Sequence, residues 1–431
     1  MAIDIRFKTA FLYLFLFAGA FNDLLRLGSS SINLFRILLP VAFLITLISS
    51  VRSRRIYLIA LIIGLLALVQ SLFFCYINDA GVRFSAERYL SYLMLYVGIV
   101  VVITSIVTIY EANRDGFIRS FSCFIMGVGV CYLLVFTAMY FLHYDYSSLP
   151  ITLNNPNDYG AVIAATIPVF YFRSKESRHP LILLAYIPIA MLLLVINDCK
   201  LVFLGVVAQI LIVAYLEIRN RAYRYRRLIL LPAILAFIIV LIIVDALDVT
   251  LNGYSWKDSI VAPIQAMFRG EMYMQSNTSV LYRINSIIAS VQWMFYSGFL
   301  GIGIGNSGVL MRNVLGSHGL YGEWMVNESI SLHNAFLELL LDFGFVAVIG
   351  LVLLIRKIVQ VFKNSVLNRM QMCFLTVVLS AILWLQAPSV VLTDYQIFTI
   401  ITFLLVVVSI KKDKADTSAP GISHISIQNK E

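Results

Sequence analysis

Four residues that can carry chemistry stand at the start of the apolar run SLHNAFLELLLDFGFVAVIGLVLL, residues 331–354. Asn334, Glu338 and Asp342 are spaced i, i+4 and i+8, so a helix places them on one face. An ionisable group inside a bilayer costs roughly 2.5–3.5 kcal/mol on insertion scales, so this stripe must face protein or a water-filled cavity. His333 precedes the stripe at the helix mouth, where an imidazole can accept a proton near neutral pH. An ordinary interfacial histidine is the alternative, but the stripe favours a helix that lines a site.

The composition identifies the chain as a membrane protein. Hydrophobic residues make up 61% of its 431 residues and charged residues only 13%, whereas soluble domains carry about 25% charged residues. The five cysteines fall in or beside apolar runs and form no CxxC pair. We therefore expect them to be small buried side chains and predict no metal or redox site. The first apolar segment lacks the features of a removable signal peptide, so we expect it to stay as an anchor.

The apolar segments predict an all-α polytopic protein with about twelve transmembrane helices of about 20 residues each. We place them near residues 7–25, 32–50, 55–77, 89–110, 116–142, 157–172, 180–197, 199–216, 227–247, 335–355, 370–387 and 391–410.

The basic residues indicate the orientation of these helices. Most of the 32 Lys and Arg residues fall in alternate loops and at both termini, and the positive-inside rule places that side in the cytoplasm. The formal net charge of +9 is then explained by topology, and nucleic-acid binding is not needed. We divide the chain into nine N-terminal helices (1–247), a long periplasmic loop (248–334), three C-terminal helices (335–410) and a cytoplasmic tail predicted to be disordered (411–431).

The long loop is predicted to be functional. It is too polar to span a membrane and has enough apolar residues for short amphipathic helices on the membrane surface. Within it, GIGNSG (303–308) matches G-x-G-x-x-G. The dinucleotide fingerprint requires a strand before this motif and a helix after it, so we reject that interpretation and expect a loop turning back toward the membrane.

Lys and Arg residues on the predicted periplasmic side run against the positive-inside rule and need an explanation. An anionic ligand supplies one, because Arg offers a planar fork for phosphate oxygens and Lys a point charge. Pairing with nearby acids is the alternative for any single cation. For Lys200, Arg283 and Arg312 together, with Arg88 as a supporting residue and a histidine on the same side, we favour a ligand.

Four segments resemble the O-antigen ligase and polymerase superfamily of bacterial envelopes. SLHNAFLELLLDFGFVAVIGL (331–351) is similar to its His-Asn helix, and RINSIIASVQWMFYSGFLGIGIGNSG (283–308) to an upstream Arg–Trp–Gly-rich segment. NDCKLVFLG (197–205) stands where the family usually has Ser-Arg-Gly, with Lys200 in place of the Arg. NNPNDYGAVIAATIP (154–168) resembles a further recurrent segment with Pro-Asn before a helix.

This resemblance implies a metal-independent, inverting glycosyltransferase of the helical membrane class (GT-C-like) without a cofactor. It implies an undecaprenyl-diphosphate-linked saccharide as the donor, presented at the periplasmic face of the bacterial inner membrane. His333 matches the family's proposed general base, and Arg283 and Lys200 match the cations that bind the donor diphosphate. Asn334 and Glu338 are expected to support the site, among membrane lipids. A chain-length regulator is a further candidate partner.

Several functions are compatible with these matches. The leading interpretation is a polymerase that joins repeat units of O-antigen or a related polysaccharide. The runner-up is a ligase that transfers the glycan to lipid A core, and a protein-directed oligosaccharyltransferase comes third. A flippase for lipid-linked sugars is the alternative from another class, although we see no two-fold repeat in the sequence.

Overall fold

In the computed structural model, the chain is an all-α polytopic membrane protein. The structure describes residues 5–21, 33–78, 81–141, 156–196, 199–220, 250–251, 254–255, 278–317, 334–364, 366–385 and 395–410. The helices are α1 (Ile5–Ala20), α2 (Leu34–Ser49), α3 (Val51–Ile77), α4 (Ala86–Ala112), α5 (Arg114–Phe141), α6 (Pro156–Ser174), α7 (Pro180–Ile196), α8 (Lys200–Asn220), α9 (Thr278–Tyr296), α10 (Ser307–Ser317), α11 (Ala335–Phe343), α12 (Phe345–Phe362), α13 (Arg369–Trp384) and α14 (Tyr395–Ser409). Two antiparallel two-residue strands, β1 (Thr250–Leu251) and β2 (Tyr254–Ser255), complete the described elements.

The long apolar helices agree with the hydropathy pattern. Among the described residues, α3, α4, α5, α8 and α12 are long and apolar enough to cross a membrane, and α2, α7, α13 and α14 are shorter apolar helices. The predicted spans therefore coincide with helices where the structure describes them, except that the span at 335–355 is divided in two, and the span predicted at 227–247 lies outside the described residues. The ninth predicted span and the full count of twelve stay predictions.

Small residues let the central helices approach closely. A Cβ atom at Gly98 on α4 would lie 2.7 Å from the ring of Tyr395 on α14. A Cβ atom at Gly205 on α8 would lie 2.9 Å from the Cβ of Trp384, which is fully buried on α13. Close packing through small residues drives helix association in lipid, where the surrounding solvent is as apolar as the side chains. These contacts join α4 to α14 and α8 to α13 in one closely packed bundle.

The tenth predicted helix is wrong as a single span. The predicted range 335–355 is divided at Gly344, which ends α11 and precedes α12. Gly344 has φ +53°, and a Cβ atom there would lie 2.3 Å from the backbone of Leu300 and Gly301. The apolar run therefore contains a glycine break, because another backbone segment packs directly against it.

That segment is a glycine-rich turn, residues 301–306, between α9 and α10. All six residues are buried, and the turn packs against α3, α4 and the end of α11. The backbone N–H of Ile302 donates to the carbonyl of Leu341 at 2.7 Å, and the Gln70 side chain donates to the carbonyl of Leu300 at 2.5 Å. Residues 301–306 thus form a turn that is part of the packed protein, and its predicted return toward the membrane from the periplasmic side stays a prediction.

Helix α9, which precedes this turn, buries small residues and exposes large apolar ones, the reverse of a helix in a soluble protein. Ser286, Ala289 and Ser290 on α9 are buried. Large apolar side chains on the opposite face are exposed, including Val291 and Phe295. Small polar residues inward and large apolar residues outward are expected of a helix that touches lipid. Two helices lie within the predicted loop, but α9 has 19 residues and only α10, with 11, is short; their placement on the membrane surface stays a prediction.

Gly303 in the turn yields a stability prediction. Gly303 has φ +86°, and a Cβ atom would lie 2.3 Å from the Cα of Ser71 on α3. We expect Gly303→Ala to lower the free energy of unfolding by at least about 2 kcal/mol, because the left-handed conformation alone costs about 1–2 kcal/mol with a Cβ and the clash adds to it. Thermal unfolding of the purified protein in detergent measures this loss.

Gly127→Ala is the matched control for this substitution. Gly127 lies on α5 with nothing within 4 Å of a built Cβ, so alanine should leave the stability unchanged or raise it by about 0.5–1 kcal/mol. Equal unfolding temperatures for the two variants would contradict the packing of the turn.

Candidate functional site

The polar stripe predicted on the His-Asn helix is present on α11. Asn334, Glu338 and Asp342 are 9%, 6% and 0% exposed, so the stripe faces protein and not lipid. Glu338 and Asp342 lie on one face of α11, as predicted, whereas Asn334 precedes the helix in an extended conformation. α9, α4 and the glycine-rich turn pack around α11, and Asp342 receives hydrogen bonds from α4 and from the turn that lipid cannot supply.

Asn334 has a local structural role that the sequence did not reveal. Its side-chain oxygen accepts hydrogen bonds from the backbone N–H groups of Phe336 and Leu337, both at 3.1 Å. Asn334 is thus the N-cap of α11 and satisfies two N–H groups that have no intrahelical partner. Because His333 is the preceding residue, this cap fixes the point at which the chain enters α11 from the histidine.

Asp342 lies at the deep end of the stripe, one turn beyond Glu338. Its Oδ2 accepts a hydrogen bond from the Tyr96 hydroxyl at 3.1 Å and from the Gly305 backbone N–H at 3.4 Å. Ser307, the first residue of α10, lies within hydrogen-bonding reach of the same carboxylate. The carboxylate therefore sits against the N-terminal end of α10, where the partial positive charge of the helix favours an anion.

Asn306 connects the glycine-rich turn to Arg88. Its side-chain oxygen accepts from the Arg88 guanidinium at 2.8 Å. Its side-chain nitrogen donates to the Ser71 hydroxyl at 2.9 Å and to the Ile302 carbonyl at 2.7 Å. Arg88 also donates to the carbonyl of Arg83 at 2.6 Å. The predicted supporting cation is thus held in a defined, half-buried position at the start of α4.

Arg312 lies on α10 and is half-buried. It has an interaction within the protein, and its predicted role in binding an anion stays a prediction. Its neighbour Asn313 lies close to Gly81 in the segment before α4. The structure therefore places Arg312 and Arg88 on elements that meet at the same end of the bundle.

The remaining predicted site residues are only partly described. Lys200 is the first residue of α8 and Arg283 lies within α9, and their side chains lie outside the described residues. His333 lies outside them altogether. Within the described part of the chain, no three His, Cys, Asp or Glu side chains form a group that could hold a metal ion.

Sequence reasoning missed the residues that join these elements. Asn306 and Tyr96 were not singled out, and Asp342 was recognised only as a member of the stripe. The alternating glycines of 301–305 were the available signal, since such spacing marks a backbone that approaches another group closely. Nothing in the sequence identified that group as a carboxylate of the same chain.

Comparison with known proteins gives one family match. Residues 183–355 match the family model described as O-Antigen ligase. This segment runs from α7 into α12 and contains the positions of Lys200, Arg283, His333 and the polar stripe. The resemblance to the O-antigen ligase and polymerase superfamily is thereby confirmed. None of the curated proteins compared with the chain matches it significantly.

Proposed function

We propose that this chain, whose residues 183–355 form an O-antigen ligase family domain, is an inverting glycosyltransferase that polymerises lipid-linked saccharides. The donor is a saccharide on undecaprenyl diphosphate, and the acceptor is a further repeat unit of O-antigen or a related polysaccharide. The observation that carries the proposal is the His-Asn helix inside the matched segment, with its polar face buried in protein.

The reaction assigns a role to each predicted residue. An acceptor hydroxyl attacks the anomeric carbon of the donor from the side opposite the diphosphate, and a new glycosidic bond forms as the bond to the diphosphate breaks. His333 takes the hydroxyl proton as the bond forms. Negative charge develops on the leaving diphosphate, and fixed cations stabilise it. We assign that role to Lys200 and Arg283.

The placement of these residues in the fold supports the assignment. Lys200 begins α8, so the unpaired N–H groups of that helix end add to its positive charge and favour an anion. Position 283 is three and seven residues before the buried Ser286 and Ser290, so in helical register it belongs to the protein-facing side of α9. Arg88 on α4 and Arg312 on α10 lie at the end of the bundle that holds the glycine-rich turn. We assign them a supporting role in binding the diphosphate there.

The proposed location follows from the charge distribution. Both termini are placed in the cytoplasm of a bacterium, and the site opens to the periplasm, where lipid-linked repeat units are presented. The ligase reaction shares the donor, the site and these residues, and the match to the O-antigen ligase family favours it as the second candidate. The two reactions differ only in the acceptor.

A reconstituted assay distinguishes the candidate reactions. The purified chain is incubated in liposomes with undecaprenyl-diphosphate-linked repeat units of defined structure, with and without lipid A core. We expect a ladder of products that lengthen by whole repeats without lipid A core. Transfer to lipid A core alone identifies a ligase, and movement of donor across the bilayer without a new glycosidic bond identifies a flippase.

Arg283 should be essential for donor binding. Arg283→Ala should reduce transfer at least about 10²-fold, since removal of one stabilising donor in such sites costs about 10²–10³ in turnover. Arg283→Lys should restore only part of it, because the fork geometry is lost. Initial rates against donor concentration measure both effects.

Arg52→Ala is the matched control for the loss of one positive charge. Arg52 lies near the opposite end of α3, exposed beside Glu111 at 3.3 Å, and its loss should leave transfer unchanged. Full activity of Arg283→Ala would contradict the diphosphate role.

His333→Ala should reduce turnover by about 10²–10⁴, the usual contribution of a general base, with little change in donor affinity. The measurement is the turnover number at saturating donor and acceptor. His179→Ala serves as the control, because His179 is an exposed histidine between α6 and α7. A His333→Ala rate within a few-fold of the wild type would make His333 a structural residue.

A further inference from the structure

A fully buried carboxylate lies behind the site and takes no part in the proposed reaction. Asp342 is 0% exposed and sits at the C-terminal end of α11, two turns deeper than Asn334. Burying a carboxylate is costly unless its charge is paired or hydrogen-bonded. The Tyr96 hydroxyl and the Gly305 N–H supply such bonds from α4 and from the glycine-rich turn.

The contacts continue from this carboxylate to a cation. Gly305, which donates to Asp342, is followed by Asn306, which accepts from Arg88. The turn cannot shift freely, because a Cβ atom at Gly305 would already lie 2.9 Å from the Tyr92 ring and 3.4 Å from Arg88. The position of the Arg88 guanidinium thus depends on where Asp342 holds the turn.

We propose that Asp342 is a positioning residue for Arg88. Its carboxylate fixes the glycine-rich turn against α11, so that Asn306 presents the Arg88 guanidinium to the diphosphate of a lipid-linked donor. The identity of that ligand rests on the function proposed above. The role rests on one oxygen of Asp342, Oδ2, that accepts both hydrogen bonds, and an Asn amide would bring N–H donors in place of the second oxygen.

Diphosphate affinity provides the first measurement. The probe is sugar-free undecaprenyl diphosphate, titrated into the purified full chain, so the readout does not need turnover. Asp342→Asn should weaken its binding about tenfold, corresponding to about 1.4 kcal/mol. Asn306→Ala should weaken it by a similar factor, because it removes the Arg88 acceptor directly.

Coupling between the residues separates positioning from general destabilisation. If Asp342 acts through Arg88, Asp342→Asn should change the affinity little in an Arg88→Ala background, since residues that act as one unit are not additive. Thr166→Val is the matched control. It removes a buried hydrogen bond of 2.8 Å between Thr166 on α6 and Tyr186 on α7, and it should leave the affinity unchanged. Tyr96→Phe replaces Asp342→Asn if that variant does not fold, because it removes one donor without adding volume.

Cys75 reports on the turn itself. Its half-buried thiol lies 3.6 Å from the side-chain nitrogen of Asn306. In a chain with Cys75 as its single cysteine, Asp342→Asn should raise the rate of labelling by a polar maleimide several-fold. Thr166→Val should not change that rate.

The outcomes separate the two proposals. Faster Cys75 labelling, weaker diphosphate binding and non-additivity with Arg88→Ala support the positioning role, even where no glycan transfer is found and the proposed reaction fails. Unchanged labelling, unchanged affinity, or effects that simply add to those of Arg88→Ala would each overturn it.

Discussion

The arrangement at the end of the bundle that holds the glycine-rich turn depends on the burial of the Asp342 carboxylate. A carboxylate on a helix that enters a membrane must find its partners within the protein, because neither lipid nor an apolar core can supply them. Tyr96 and the Gly305 N–H supply two such hydrogen bonds, both to Oδ2. The consequence is structural, since a backbone N–H can reach the side of α11 only if a whole turn enters the bundle.

The glycines of the turn follow from this close approach. Gly303 lies against Ser71, and Gly344 lies against Leu300 and Gly301, with no room for a Cβ at either position. A helix that continued through Gly344 would fill the space that the turn occupies. The break between α11 and α12 is therefore required by the same close approach of the turn. Beyond the break, α12 continues as a separate helix whose side chains are mostly exposed.

Hydropathy was sufficient to predict the helices but not the way in which they are interrupted. The apolar run after Asp342 continues without a polar residue to Leu354, so only contact with another segment reveals that it breaks at Gly344. The polar stripe could be predicted, because i, i+4 spacing depends on helix geometry alone. The bond between Arg88 and Asn306 could not, since it joins residues 218 positions apart, and no local pattern encodes such a pairing.

A second buried polar contact shows what distinguishes the network at the site. Pro168 lacks an N–H and so leaves the carbonyl of Ala164 without its usual donor within α6. Gln209 on α8 donates to that carbonyl at 2.9 Å and is itself 1% exposed, so the contact begins and ends inside the bundle and serves packing. The network of Asp342, by contrast, leads outward through Asn306 to a half-buried guanidinium. Both contacts give a hydrogen bond to a buried polar group, but of the two only the second continues to a cation, the Arg88 guanidinium at the start of α4.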